Sequence, residues 1–268
     1  MRIRRTIAFL ALLLGLSTMG YSWNQLAEVN ETYQEGNTAY EEIRDLVRAG
    51  AAADAGLQIP GADNRPANSA AQPDSAAPGG VPGLAIDFEI LKSLNKDAAA
   101  WLYCPGTAID YPVMRADDYS YYLSHLPDGT QNANGALFID FNSAPDFSDT
   151  LTVIYGHNMK SGSMFGSLKG YKEQGYFDEN PYMYLYTEHN SYRIELLYGF
   201  LVGAGQWRDR AFMYKENLEA LTAYGAHNTT FKSNAVYTEG DRVVALSTCS
   251  YEFENARFVV IGILRGVD

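Results

Sequence analysis

Cys249 and Arg257 stand eight residues apart in LSTCSYEFENARFVV. The apolar run RVVALST ends at the thiol, and RFVVIGILR begins at the arginine. Two such runs joined by SYEFENA form a hairpin, which puts a thiol and a permanent cation at one rim of a sheet. A neighbouring cation lowers a thiol's pKa and favours the thiolate, the nucleophilic form. A guanidinium can also stabilise the oxyanion of a tetrahedral intermediate. Such chemistry needs a proton carrier, and the chain has four histidines. His157 ends the apolar run LTVIYGH and opens the turn-rich NMKSGS, so it too sits at a strand end. Catalytic groups tend to be displayed there on a rigid scaffold. His125, His189 and His227 lie in polar or helical contexts that suit solvated side chains. On spacing alone, a structural cysteine and a surface arginine fit the pair as well as catalysis does.

The elements that would position these groups are short apolar, β-branched or aromatic runs separated by turn residues. They read AAWLYC, IDYPVM, GALFIDF, TLTVIYGH, YMYLYT, YRIELLYGFLV, RVVALST and RFVVIGILR. Eight such runs predict a mostly β fold, an eight-stranded closed or nearly closed barrel. Twenty tyrosines suit half-exposed strands. Short helices are expected at IDFEILKSLN, at YSYYLSH (119–125), at MFGSLKGY and at KENLEALTAYGAH (215–227).

The N-terminal part has a different composition. MRIRR precedes an apolar run from Ile7 to Trp23, near the lower limit for crossing a bilayer. Residues 1–24 read as a single-pass anchor with the arginines inside and Trp23 at the outer interface; a cleaved signal peptide is the rival. Residues 25–49 read as a juxtamembrane helix with a break near Gly36. Residues 50–84, rich in Ala, Gly, Pro and Asp, read as a flexible spacer. The catalytic unit is expected over 85–268, exported to the cell surface. A net charge of −12 excludes a nucleic-acid surface, which needs a basic stripe. Histidines and cysteines have no metal-site spacing. The only two cysteines, Cys104 and Cys249, are too few for a disulfide scaffold. Cys104 reads as a small buried hydrophobe, with a bond to Cys249 as the alternative. The acidic stretch DFNSAPDFSD (140–149) lacks an EF-hand's glycine and final glutamate and reads as a turn.

YGHNMKSGSMFGSL and LSTCSYEFENARFVV resemble the sortases, cysteine transpeptidases of Gram-positive envelopes, and class B most closely. The sortase signature Thr-Leu-x-Thr-Cys appears as Ala245-Leu246-Ser247-Thr248-Cys249, with Ala245 as the one departure. Arg257 follows the cysteine at the family's spacing, His157 matches the histidine segment, and WLYCPGTAIDYPVMR resembles the start of the barrel. The resemblance spans residues 85–266. Two features match class B: a helical region before the barrel, and a helix-bearing insertion between Val202 and Arg242 that helps form the substrate groove. No second hydrophobic segment follows, unlike many pilus-building class C enzymes.

The resemblance implies a catalytic set of Cys249 as nucleophile, His157 as proton carrier and Arg257 as oxyanion stabiliser. The implied substrates are secreted proteins with an Asn-Pro-x-Thr-like signal, cleaved after Thr and joined to a peptidoglycan stem or cross-bridge amine through a thioester. No metal or organic cofactor is implied. Ser247 and Tyr155 share strand faces with Cys249 and His157, and with Leu123 and Tyr251 they are the candidate substrate contacts. Other exported envelope cysteine peptidases or transpeptidases, and an anchored binding domain with a dead site, are the competing readings.

Overall fold

All eight expected runs form strands. The computed structural model describes residues 2–54, 84–213 and 218–267. The strands are β1 (Ala98–Tyr103), β2 (Asp110–Arg115), β3 (Leu137–Ile139), β4 (Leu151–Tyr155), β5 (Tyr182–Tyr186), β6 (Ser191–Gly203), β7 (Val243–Cys249) and β8 (Ala256–Val267). They close into a barrel in the order β1-β2-β3-β4-β7-β8-β6-β5. Neighbours are antiparallel except at β2–β3 and β4–β7. A parallel pair cannot be joined by a hairpin. The chain between β4 and β7 therefore runs through β5, β6 and several helices.

β7 shows why these strands read as continuous apolar runs. Val244 and Leu246 pack with Leu102, Ile154 and Val260 in the barrel interior. Val243 and Ala245 point the other way and pack with Val259, Ile261, Trp207 and Leu221. Side chains alternate along a strand, so a strand covered on both faces must be apolar at every position. A third cluster, including Trp101, Met114 and Phe138, is covered by the N-terminal helices.

Five α-helices accompany the barrel: α1 (Arg2–Asp54), α2 (Phe88–Leu94), α3 (Gln174–Glu179), α4 (Ala204–Met213) and α5 (Glu219–Asn228). α2 is the helix expected at IDFEILKSLN, and Asp87 caps it by accepting from Ile90 N at 2.8 Å. YSYYLSH and MFGSLKGY form 3-10 segments at Tyr121–Leu123 and Gly166–Lys172 instead of α-helices. The insertion before β7 holds two helices where one is expected. α5 covers most of the expected segment, and residues 214–217 lie outside the described ones. α4 has no strong apolar stripe of its own; Trp207 anchors it against Phe200, with ring centroids 6.2 Å apart.

α1 runs unbroken through Gly36. Tyr40, Ile43 and Val47 are buried against the barrel unit at helical spacing. Arg44 and Arg48 pair with Asp110 of β2 at 3.1 and 2.8 Å. Towards the N-terminus, Leu14, Met19, Tyr21 and Trp23 are exposed. Among the described residues no helix is long and apolar enough to cross a membrane. Of the expected spacer, residues 55–83 lie outside the described ones and 50–54 belong to α1.

Candidate active site

β7 and β8 carry the thiol and the guanidinium to one place. They pair antiparallel from Val243↔Ile263 to Cys249↔Arg257, so the two residues are direct neighbours at the strand ends. β4 lies parallel on the other side of β7, with Tyr155 opposite Ser247. Two residues beyond that pair stand His157 and Cys249. Hydrogen bonds continue past the end of the ladder. Thr248 Oγ1 donates to Gly156 O at 2.7 Å, and Asn158 Nδ2 donates to Cys249 O at 2.8 Å.

A pocket of about 280 Å³ opens here, lined by Leu123, His157, Ser247, Thr248, Cys249 and Arg257. Cys249 is free and exposed. Arg257 Nη1 donates to Ala256 O at 3.0 Å, and among the described residues no carboxylate lies within ion-pair distance of it. His157 Nε2 lies 2.7 Å from Leu123 O. A carbonyl oxygen only accepts, so Nε2 carries the proton and Nδ1 is left for proton exchange.

Three of the four candidate substrate contacts, Ser247, Tyr155 and Leu123, line the same pocket. Ser247 Oγ is buried without a hydrogen-bond partner among the described residues. Tyr251 does not line the pocket; it is 78% exposed on the β7–β8 connection. That connection is tied down by its other residues. Lys172 Nζ donates to Ser250 Oγ at 3.2 Å and pairs with Glu252, and it sits 5.2 Å from the centre of the Phe258 ring. The hydrogen bonds from Lys172 and Ser250 hold the Glu252 carboxyl down to about 2.

Further residues of the pocket come from outside the recognised motifs. Tyr119 and Tyr155 both donate to Asp140 Oδ2, at 2.8 and 3.1 Å. Asp140 is buried and also accepts from Asn142 N at 2.9 Å. A buried carboxylate is tolerated only with such donors. Burial and the Asp140 hydrogen bond push the Tyr119 phenol up to about 12, and burial with the Asp140 charge raises Tyr155 well above its usual value. Both therefore stay neutral donors. The acidic stretch 140–149 is thus a turn whose first residue buttresses the pocket wall. α4 adds Trp207 and Arg208. The Arg208 guanidinium sits 5.6 Å from the centre of the Tyr119 ring, and Trp207 Nε1 is buried without a partner among the described residues. In the sequence, the Tyr-rich DDYSYYL, the acidic stretch 140–149 and the tryptophan inside the insertion are the signals for these residues.

Cys104 is a free, fully buried thiol 3.4 Å from Tyr171 Oη. Burial pushes it up to about 11. The small-hydrophobe reading fits, and the two cysteines are not bonded to each other.

Comparison with known proteins adds the family. No family model matches the chain. Sortase B of Listeria monocytogenes is 31% identical over 175 residues, which cover 64% of this chain and 71% of that protein. The X-ray structure of Clostridium perfringens sortase B superposes with a TM-score of 0.62 at 29% identity, covering 68% of this chain and all of that one. A Staphylococcus aureus sortase B–substrate complex gives a TM-score of 0.63 at 23% identity, over 68% of this chain and 86% of that one, a likeness of fold. A closed barrel, a thiol paired with an arginine across a hairpin, and these relatives agree: the chain belongs to the sortase family of cysteine transpeptidases and is most like its class B members.

Proposed function

We propose that this sortase cleaves secreted proteins after the threonine of an Asn-Pro-x-Thr-like C-terminal signal and joins them to a peptidoglycan amine. The observation that carries the reading is the shared pocket of Cys249, His157 and Arg257. The Cys249 thiolate attacks the threonine carbonyl, and an S–C bond forms. Arg257, without a carboxylate partner among the described residues, faces the negative charge that builds on the carbonyl oxygen. As the tetrahedral intermediate collapses, the C–N bond breaks and the leaving amine takes a proton from His157. The incoming amine then attacks the thioester and gives its proton to His157, and the thiolate leaves. The covalent intermediate splits one hard amide exchange into two easier steps.

Ser247, Tyr155, Leu123 and Tyr251 are assigned to substrate binding. The unpartnered Ser247 hydroxyl supports a hydrogen bond to the substrate, and Trp207 joins this set on the same ground. The exposed apolar side chains of α1 support residues 1–24 as the membrane anchor of a Gram-positive surface enzyme. Residues 25–54 then form a juxtamembrane helix, the spacer begins beyond Asp54, and 85–268 form the extracellular catalytic unit.

The test is a panel of fluorogenic peptides carrying Asn-Pro-x-Thr, Ser-Pro-x-Thr and Leu-Pro-x-Thr, with and without a diamino-acid or glycine acceptor. Cleavage led by Asn-Pro-x-Thr, lost in Cys249→Ala, is the expected result. Equal cleavage of all three, or residual turnover in Cys249→Ala, would overturn the reading.

A further inference from the structure

The hydrogen-bond acceptor of His157 is the Leu123 carbonyl, and what holds that carbonyl lies outside the pocket. Gly135 packs against it. Its φ of +59° is a left-handed conformation that favours glycine. A Cβ there would lie 2.5 Å from Tyr122 O, 2.9 Å from Leu123 O and 3.0 Å from His157 Cδ2. Ala136 N donates to Tyr122 O at 2.8 Å, and Asn132 N donates to Ser124 O at 2.9 Å. Segment 132–136 is thus fastened on both sides of Leu123, and at Gly135 it leaves no room for a Cβ beside the imidazole.

The far side of this segment rests on α1. Tyr40, buried, donates from Oη to Gly135 O at 2.5 Å. Asn132 Nδ2 donates to Thr32 O at 2.9 Å, and Asn134 Nδ2 lies 3.2 Å from both Tyr33 O and Asn37 Oδ1. Both asparagines are buried. Gly36 makes the approach possible, because a Cβ there would lie 2.4 Å from Asn134 Nδ2 and 2.6 Å from Asn132 Oδ1. Residues 32, 33, 36, 37 and 40 form one face of the helix. Buried amide N–H groups are costly unless paired, and both Nδ2 groups are paired here, although Asn134 Oδ1 has no partner among the described residues, so the donors favour this register.

We propose that α1 is a positioning element of the active site: Tyr40, Asn132 and Asn134 hold Gly135, and Gly135 holds the Leu123 carbonyl and the ring of His157. The inference rests on His157 being the proton carrier. None of the bracing residues lines the substrate pocket; they act through His157. The competing role is simple support of the barrel, which the Arg48–Asp110 pair also provides at a point away from this loop. The ionisable groups sharing the pocket with the imidazole are Cys249, Arg257, Tyr155, Tyr119 and Arg208, and none of them changes in the variants below.

The test compares Tyr40→Phe, Gly36→Ala and Arg48→Ala in the full chain. The readouts are kcat and KM on the sorting peptide, the pH profile of Cys249 alkylation by iodoacetamide, the NMR titration of the His157 ring, and Tm. Alanine is a better helix former than glycine, so any loss in Gly36→Ala is not helix fraying. A misplacement of about 1 Å can cost roughly a hundredfold in rate; one altered contact in a braced segment moves the ring less. Tyr40→Phe and Gly36→Ala are therefore expected to lower kcat about tenfold, to leave KM nearly unchanged, and to shift both titrations. Arg48→Ala is expected to lower Tm and leave the titrations in place. Folded Tyr40→Phe and Gly36→Ala proteins with wild-type kcat and titrations overturn the proposal, as does an equal shift in Arg48→Ala. If Tyr40→Phe does not fold, Gly36→Ala decides. A wild-type protein that cleaves no sorting peptide defeats the functional reading alone, since alkylation and the ring titration need no substrate.

Discussion

Thr248→Val isolates the contact that carries β7 across to the histidine segment. Thr248 is 4% exposed, and its hydroxyl donates to Gly156 O at 2.7 Å, one residue before His157. Valine keeps the shape and removes only the hydroxyl. The loss is one hydrogen bond plus a carbonyl left with one fewer donor, about 1–3 kcal/mol in a buried setting. A single domain of this size loses about 2–4 °C of Tm per kcal/mol, so a fall of several degrees is expected in a melting curve. The Tyr155–Ser247 ladder and the 3.2 Å bond from Gly156 N to Ser247 O survive, so the fold persists. What changes is the freedom of the segment that bears His157. The rate with a sorting peptide, assayed well below Tm, is expected to fall about ten- to a hundredfold, chiefly in kcat. A variant that melts several degrees lower yet turns over within twofold of wild type would refute the reasoning. Thr248 would then stabilise the barrel without positioning His157.

Other expectations are briefer. His157→Ala and Arg257→Ala should each lower kcat/KM by at least about a hundredfold; a tenfold effect or less removes that residue from the core mechanism. Iodoacetamide without reductant should label one thiol in the folded protein and two in denaturant, by intact mass. Cys249 is exposed, whereas Cys104 is buried with its pKa pushed up to about 11. Glu252 has a folded pKa lowered to about 2 by Lys172 and Ser250, below its ordinary value near 4.5. The stability it contributes is therefore complete above about pH 4.5 and is lost as pH falls through the folded value. Lys172→Met should flatten that part of the pH–Tm curve, and an unchanged curve would show that the tie on the β7–β8 connection has no energetic weight.

Much of the candidate site's placement was legible because its parts are local. A thiol and an arginine at the ends of consecutive apolar runs become neighbours in any hairpin of that length, and Cys249↔Arg257 is that neighbour pair. His157 stood out by ending a run. Its position beside Cys249 was not local, because β4 and β7 pair in parallel across most of the catalytic unit. Tyr119, Asp140, Trp207 and Arg208 left little trace, since each is ordinary in its own segment and acquires meaning only against another. α4 was missed for the same reason: among its described side chains the hold on the barrel is Trp207 against Phe200, which gives no period to read. Tyr251 stands outside the pocket, because one residue past Ser250 the chain turns out to solvent.

Strand number, the apolar faces and the strand-end places of Cys249, Arg257 and His157 follow from the order of side chains along the chain, because period-two burial and hairpin closure act over a few residues. Which strands lie side by side, what walls the pocket and how α1 meets the histidine loop were decided by contacts such as Tyr40 to Gly135, across 95 residues of sequence. Such contacts form only where burial and hydrogen-bond satisfaction of the whole barrel select one arrangement, and no local pattern encodes that selection.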